Sequence, residues 1–394
     1  MRQKVLCLIY SHANGALRPA SLSGCHQLDM AGYEATLIDL TETTGFRQLD
    51  EHLATGRVAF CFAMQGVGST LTTRENVNLW TARRIPFIGV HYDSPCYNPF
   101  NHVSDSPFVA NLYHYESFLD IKQRYLPSTQ ISIRVPYSFT GQPPPSPIPF
   151  RERPIRVLYL KTGGDVRETA AYFDSLPDKI RDGIWDQLGK AARSPTLQLC
   201  DLVSEVFAAA GMDWHRYQRQ FWGVVQSMDV YLRRKRAIDF VNWLKFQEGA
   251  VVIGDDWDFI DKEGARAAFR PPLDIAETAT LYHQSQFVAN TNPYGRDIVH
   301  ERVVLGLMYG CCVLNDRNAW WEENFAKTPA LVNFGWGEAL EDQLRRHLDS
   351  ADAELAAETG PAAASSFVDP HYARHLVNCA EQVRRLTAGA AAQH

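Results

Sequence analysis

Residues 281–316, LYHQSQFVANTNPYGRDIVHERVVLGLMYGCCVLND, combine a strand, a polar loop, a helix and a second strand in one run. The apolar residues 287–289 are interrupted by the loop 290–295, and a second apolar run follows at 311–314. Between the two runs, the pattern predicts a helix with Asp297 as its N-cap and Gly310 as its stop. A βαβ unit of this kind requires a parallel sheet with helices packed against it.

The predicted helix of this unit is apolar over residues 303–308, but its first turn carries His300, Glu301 and Arg302. A helix N-terminus presents unpaired N–H groups and a partial positive charge, which attract anions. An arginine and a histidine at the same place favour a diphosphate ligand. The alternative is a structural role, which would bury three polar side chains at a desolvation cost.

The N-terminal half alternates apolar runs with helical patterns, which predicts a second parallel sheet with its ligands at the carboxyl ends of the strands. Its strands are predicted at 4–10, 33–40, 58–64 and 86–90. His91 and Asp93 follow the last of these runs, where an imidazole and a carboxylate can deprotonate or orient a hydroxyl group. In the structural alternative, His91 bonds the backbone and Asp93 caps a turn.

A proline-rich segment at 141–154 is predicted to connect two domains. The predicted N-terminal domain covers 1–145, the C-terminal domain 155–370, and a C-terminal helix with a frayed tail 371–394. The C-terminal domain opens with a strand at 156–160, and Lys161 and Gly163 follow it as a candidate phosphate loop. A glycine pair is also common in ordinary strand-to-helix turns.

Apolar residues at helical spacing predict a helical insertion at about 172–245, far longer than a βαβ crossover needs. The insertion can cover the sheet, a partner subunit in a homo-oligomer, or the acceptor side of the site. The basic run RRKR at 233–236 within it is predicted to be a solvated helix face.

Composition excludes several classes of protein. A chain of 394 residues with a net charge of −6 suits two globular domains and gives no electrostatic footprint for nucleic acid. No apolar run is long enough to predict a transmembrane segment. The eight cysteines lack CxxC pairs, so we predict reduced thiols, a cytoplasmic location and no metal site.

Residues 254–316 resemble the C-terminal domain of CgeB-like glycosyltransferases of the GT-B fold. The resemblance rests on GDDW at 254–257, LYHQSQFVANTNP at 281–293, HER at 300–302 and MYGCCVLND at 308–316. It implies an α/β protein of GT-B architecture, in which two Rossmann-like domains face a cleft. The donor would bind in the C-terminal domain, and the acceptor mostly in the N-terminal one.

The implied reaction moves a sugar from a nucleotide-diphosphate sugar, such as a UDP- or GDP-sugar, to a protein, glycan, lipid carrier or small metabolite. The resemblance favours a metal-independent, retaining transfer without a further cofactor. The alternatives are a nucleotide-sugar epimerase of the same fold and a non-catalytic protein that binds a nucleotide sugar or a partner.

The candidate site residues follow from the motifs and the resemblance together. Predicted catalytic residues are His91, Asp93 and Arg302; predicted donor-binding residues are Lys161, Gly163, Trp257, Asn292, Tyr294, Gly295, His300 and Glu301. Many retaining GT-B enzymes carry a ribose-binding glutamate where this chain has Leu305. Glu301 lies one helical turn earlier on the same face, so it is the predicted substitute.

Overall fold

The computed structural model describes residues 2–10, 17–139, 147–194, 196–292, 294–337, 339–369 and 371–391. The chain divides into two compact units, and we call Met1–Thr140 with Asp369–His394 unit 1 and Gly141–Val368 unit 2. Each unit contains a six-stranded sheet in which every neighbouring pair of strands is parallel.

The sheet of unit 1 has the strand order β2-β1-β3-β4-β5-β6. Its strands are β1 (Lys4–Ile9), β2 (Glu34–Asp39), β3 (Val58–Met64), β4 (Phe87–His91), β5 (Val109–Tyr113) and β6 (Ser132–Arg134). Its helices before unit 2 are α1 (Leu17–Met30), α2 (Gly45–Ala54), α3 (Leu79–Arg83) and α4 (Glu116–Tyr125). The sequence of β3, VAFCFAM, is buried at every position after the first, as expected for a parallel strand covered on both faces.

The sheet of unit 2 has the strand order β12-β11-β10-β7-β8-β9. Its strands are β7 (Ile155–Leu160), β8 (Ala250–Ile253), β9 (Ala268–Arg270), β10 (Ser285–Asn290), β11 (Cys312–Asp316) and β12 (Leu331–Phe334). Its helices are α5 (Arg167–Asp174), α6 (Asp178–Arg193), α7 (Leu199–Ala209), α8 (Gln218–Leu244), α9 (Ile275–His283), α10 (Glu301–Met308), α11 (Ala319–Asn324), α12 (Leu340–Leu348), α13 (Ala353–Ala357) and α14 (Gly360–Ala364).

The βαβ unit predicted at 281–316 is β10-α10-β11, and its two strands pair directly. Gly306 allows α10 to lie close to the sheet, because a Cβ there would come within 2.8 Å of Val313. The N-cap prediction is wrong: α10 begins at Glu301, and His300 rather than Asp297 is its N-cap. Residues 295–300 remain irregular before it.

The helical insertion predicted in the C-terminal half is formed by α5 to α8. Its helices bury apolar side chains such as Ile184, Val203 and Phe221. The C-terminal part of α8 joins the core of the sheet, where Phe240 packs with Tyr159 of β7. The insertion is therefore a helical layer continuous with the sheet of unit 2.

Helix α15 (Tyr372–Ala391) follows unit 2 in the sequence but belongs to unit 1. Its residues Leu376 and Val383 are fully buried in the same apolar core as Val5 and Phe62. None of the helices described in the structure is both long and apolar enough to span a membrane.

Candidate functional site

The carboxyl ends of three adjacent strands, β7, β10 and β11, bring polar residues together in unit 2. Lys161 follows β7, Asn292 follows β10, and Asp316 ends β11. The N-terminus of α10 lies at the same edge, because the Arg302 guanidinium donates to the carbonyl oxygen of Leu160, the last residue of β7. This edge of the sheet is the candidate donor site.

Arg302 is 8% exposed and is held by neutral acceptors. Its Nη2 lies 2.5 Å from His300 Nε2, and Glu301 Oε2 lies 3.0 Å from His300 Nδ1. His300 Nδ1 also accepts from the Arg302 backbone N–H and from Arg302 Nε, each over 3.3 Å. Burial, followed by the charge of Arg302, holds the pKa of His300 well below its usual range, so the imidazole is neutral. His300 therefore caps α10 and orients the Arg302 guanidinium.

Lys161, Arg233 and Arg302 form a basic cluster at this edge. Burial, and then the charges of Arg233 and Arg302, hold the pKa of the Lys161 ammonium well below its usual range, while Asp316 and Asp229 act in the opposite direction. Within the described ranges, neither Lys161 nor Arg302 forms an ion pair with a carboxylate. The positive charge of Arg302 is thus available to an anionic ligand, and a bound anion would favour the charged form of Lys161.

The prediction that RRKR at 233–236 is a solvated helix face is wrong for Arg236, and Arg233, whose side chain is 30% exposed, is only partly solvated. The side chain of Arg236 is 7% exposed and lies 3.8 Å from Asp316 Oδ2, and Arg233 lies 3.7 Å from Asp229 Oδ2. Residues 229, 233 and 236 occupy one face of α8, which turns inward toward the site. The i, i+4, i+7 spacing of these charges was the signal that could have identified them.

Asn292 has a structural role in the strand-end network. Its side-chain amide donates to Asn315 Oδ1 and Asp316 Oδ1, and its backbone N–H donates to Asp316 Oδ1. Burial raises the pKa of Asp316, while Arg236 and these hydrogen bonds oppose the rise. The network holds the loop after β10 in place. It occupies the side-chain amide of Asn292, which is therefore not directed to a ligand.

Tyr294 connects the donor-site loop to the helical insertion. Its hydroxyl donates to the Ser194 carbonyl over 2.7 Å, and its backbone N–H donates to Asp229 Oδ1 over 3.3 Å. Arg236 lies against its ring at 5.5 Å. The carbonyl of Gly295 accepts from Asn318 Nδ2 over 3.3 Å. A donor group at the backbone N–H of Tyr294, a predicted donor-binding residue, would therefore compete with Asp229.

Gly163 and Trp257 pack two loops together. The Gly163 N–H donates to the Asp255 carbonyl, and the Trp257 indole N–H donates to the Lys161 carbonyl, both over 2.8 Å. Trp257 is 4% exposed. The N–H group of Gly163 and the indole N–H of Trp257 are thus both used within the protein, where they hold the backbone around Lys161 in place.

We expect Gly163→Ala to destabilise the protein by roughly 1–3 kcal/mol, because overpacking against backbone forces the chain to shift. A Cβ at this position would lie 2.2 Å from the Asp256 carbonyl oxygen. The matched control is Gly189→Ala in α6, where the nearest atom is 4.0 Å away and helix propensity should increase stability. Urea unfolding measures both; equal midpoints for the two variants would contradict the packing role.

The two candidate residues of unit 1 differ in accessibility. His91 is fully buried, lies 2.9 Å from Asn111 Oδ1 and stacks on His102 with 3.9 Å between ring centroids. Burial lowers its pKa to about 4. This enclosure argues against a contact between His91 and an acceptor. Asp93 is exposed at the end of β4 and accepts a hydrogen bond from Gln65 Nε2 over 2.9 Å.

Among the described residues, no group of three or more histidine, cysteine, aspartate or glutamate side chains is arranged to hold a metal ion.

Residues 233–382 match the family model described as glycosyl transferase-like. Two known structures resemble the whole chain: HepE of Anabaena, solved with UDP and glucose, and sucrose-phosphate synthase of Thermosynechococcus elongatus. HepE is 11% identical with a TM-score of 0.51, and the match covers 98% of this chain and 100% of that chain. The synthase is 9% identical with a TM-score of 0.52, and the match covers 100% of both chains.

The chain has the GT-B fold. The predicted α/β fold class with two Rossmann-like sheets is confirmed. An alpha-glucosyltransferase solved with UDP-glucose and DNA containing an abasic site has the same fold, at 10% identity and a TM-score of 0.54, over 97% of this chain and 100% of that chain. No curated protein matches this chain in sequence.

Proposed function

We propose that this chain is a glycosyltransferase, which transfers a sugar from a nucleoside-diphosphate sugar bound at the basic cluster of unit 2. The supporting observation is the position of Lys161, Arg233 and Arg302 at the strand ends and at the start of α10. This edge lies mostly within the segment that matches the glycosyl transferase-like family. Two of the structural relatives described above were solved with UDP or UDP-glucose, so a UDP-sugar is the first donor to test.

The basic cluster suits the chemistry of the donor. When the bond between the sugar and the diphosphate breaks, negative charge grows on the leaving diphosphate. Oriented cations and helix N–H groups stabilise that charge more strongly in the transition state than in the ground state. Arg302 is oriented in advance by Leu160 and His300, so little reorganisation is needed when the charge develops. Glu301, which is about half-exposed, remains the proposed contact to the donor sugar or ribose.

Four further features of the proposal follow from the resemblance to CgeB-like enzymes. The transfer is metal-independent and retains configuration at the anomeric carbon. Asp93 handles the acceptor hydroxyl, because it is the exposed member of the His91 and Asp93 pair. The acceptor is a protein, glycan, lipid carrier or small metabolite. A cytoplasmic location remains a prediction, supported by eight buried cysteine thiols.

The test is incubation with a panel of UDP- and GDP-sugars and candidate acceptors, with mass spectrometry of donor, nucleotide and products. We expect release of nucleoside diphosphate together with glycosylated acceptor, and equal rates with and without EDTA. Lys161→Met should lower the rate by about 10-fold or more, since a cation beside the leaving group is lost. A new nucleotide sugar without diphosphate release would indicate an epimerase. Binding without turnover would indicate a nucleotide-sugar-binding protein.

A further inference from the structure

Gln65 adopts a backbone conformation that L-residues rarely take. It follows β3 directly, and its φ is +56°. The turn is tightly held: the Gln65 N–H donates to the Val90 carbonyl over 2.7 Å, and Asn101 Nδ2 donates to the Gln65 carbonyl over 3.0 Å. Glycine takes this conformation without strain, and the next residue, Gly66, has a φ of +64°. A glutamine here therefore requires an explanation beyond the turn itself.

The side chain of Gln65 supplies that explanation. Strands β3 and β4 are neighbours, so the residue after β3 can reach the loop after β4. Gln65 Nε2 donates to Asp93 Oδ2 over 2.9 Å, and the Asp93 N–H lies 3.5 Å from Gln65 Oε1. Gln65 is 7% exposed, whereas Asp93 is exposed. The buried side-chain amide of Gln65 thus holds the exposed carboxylate of Asp93 in place.

The side chains of His91, His102 and Tyr92, on or near β4, are uncharged near neutral pH. Burial lowers the pKa of His91 on β4 to about 4 and holds that of His102 well below its usual range. Burial also raises the pKa of Tyr92 to about 12. A neutral amide therefore fixes the Asp93 carboxylate without supplying a charge that would neutralise it.

We infer that Gln65 is a positioning residue that orients Asp93 toward the acceptor hydroxyl. This inference rests on the proposed function for the role of Asp93, but the Gln65 contact stands independently of it. A carboxylate that accepts a proton from a hydroxyl must lie within hydrogen-bond reach of it in a defined direction. The turn with a positive φ at Gln65 places the side-chain amide of Gln65 within hydrogen-bond distance of the Asp93 carboxylate.

The experiment compares Gln65→Met, which removes the amide but keeps the length, with Gln65→Gly, which also relieves the backbone. The control is Arg84→Gly, because Arg84 is an exposed residue with a φ of +53° at the end of α3. The Asp93 carboxyl is followed by NMR in protein labelled with carboxyl-¹³C aspartate, and Asp93→Asn assigns its signal. Turnover is measured as UDP release from UDP-glucose with the acceptors of the panel.

We expect the Asp93 titration midpoint to move to higher pH in both Gln65 variants, because a hydrogen bond to the charged form is lost. We expect kcat to fall roughly 10-fold with unchanged KM for UDP-glucose, and no further fall from Gln65→Met in the Asp93→Asn background. Arg84→Gly should change neither quantity. An unmoved titration midpoint, or full activity of Gln65→Gly, would overturn the inference. If the unaltered chain releases no UDP, the proposed function fails by itself, and the titration still decides whether Gln65 holds Asp93.

Discussion

Replacing Arg302 with alanine should lower the turnover of the nucleotide sugar by about 10²–10³-fold, which is the usual cost of removing one group that stabilises a developing anion. Arg302 is the member of the basic cluster that starts α10, and its guanidinium is oriented by the Leu160 carbonyl and His300. Arg302→Lys should recover only part of the activity, because an ammonium keeps the charge but cannot contact both partners in a planar fork. Diphosphate release measures both variants.

The matched control for Arg302 is Arg317→Ala. Arg317 follows β11, and its side chain is 59% exposed and pairs with Glu322 over 2.7 Å. Exposed pairs of this kind contribute little to stability, so turnover should stay within about twofold of the unaltered chain. Unfolding curves establish that the variants fold. A folded Arg302→Ala protein with unchanged turnover would remove Arg302 from the mechanism.

The second large effect should be a loss of stability on acidification. Burial lowers the pKa of both His91 and His114 to about 4, whereas an imidazole in the unfolded chain titrates near 6.5. The unfolded state therefore binds protons first, so the stabilisation present above about pH 6.5 is lost as the pH falls toward 4. For a shift of this size, each histidine should cost about 2 kcal/mol by pH 5. Urea unfolding at pH 7 and pH 5 measures the difference.

His114→Gln should reduce this pH dependence, because glutamine can still donate to the Pro136 carbonyl that His114 Nδ1 contacts over 3.1 Å but does not titrate. The exposed His215 provides the control, and His215→Gln should leave the pH dependence unchanged. Equal stability at pH 7 and pH 5 in the unaltered chain would show that the buried imidazoles do not govern acid unfolding.

The spacing of apolar residues was sufficient to predict the elements β10, α10 and β11. Each strand there is a short apolar run and the helix has a continuous apolar stretch, so the pattern specified both the type of element and its order. The same logic placed His300, Glu301 and Arg302 at the start of α10, where the structure has them. The N-cap was assigned incorrectly because aspartate is a more common cap than histidine.

The roles of individual side chains were harder to predict from the sequence. Arg236 belongs to a basic run that usually faces water, but the packing of α8 on the sheet turns it toward Asp316. Asn292 and Trp257 lie in motifs that resemble a donor site, yet their polar groups bond other parts of the protein. The hydrogen bond between Gln65 and Asp93 could not be predicted from a local pattern, because it joins residues 28 positions apart.

The sequence by itself determined the alternation of strands and helices, the two parallel sheets and the polar start of α10, because these depend on the spacing of apolar residues along a short stretch of chain. Only the tertiary structure decided which charged side chains meet at the ends of β7, β10 and β11, and which candidates are enclosed. Arg302 remains the central residue of the proposed donor site, now with Lys161 and Arg233 beside it. Their proximity depends on how α8 and α10 pack against one sheet, and no local pattern encodes that distance.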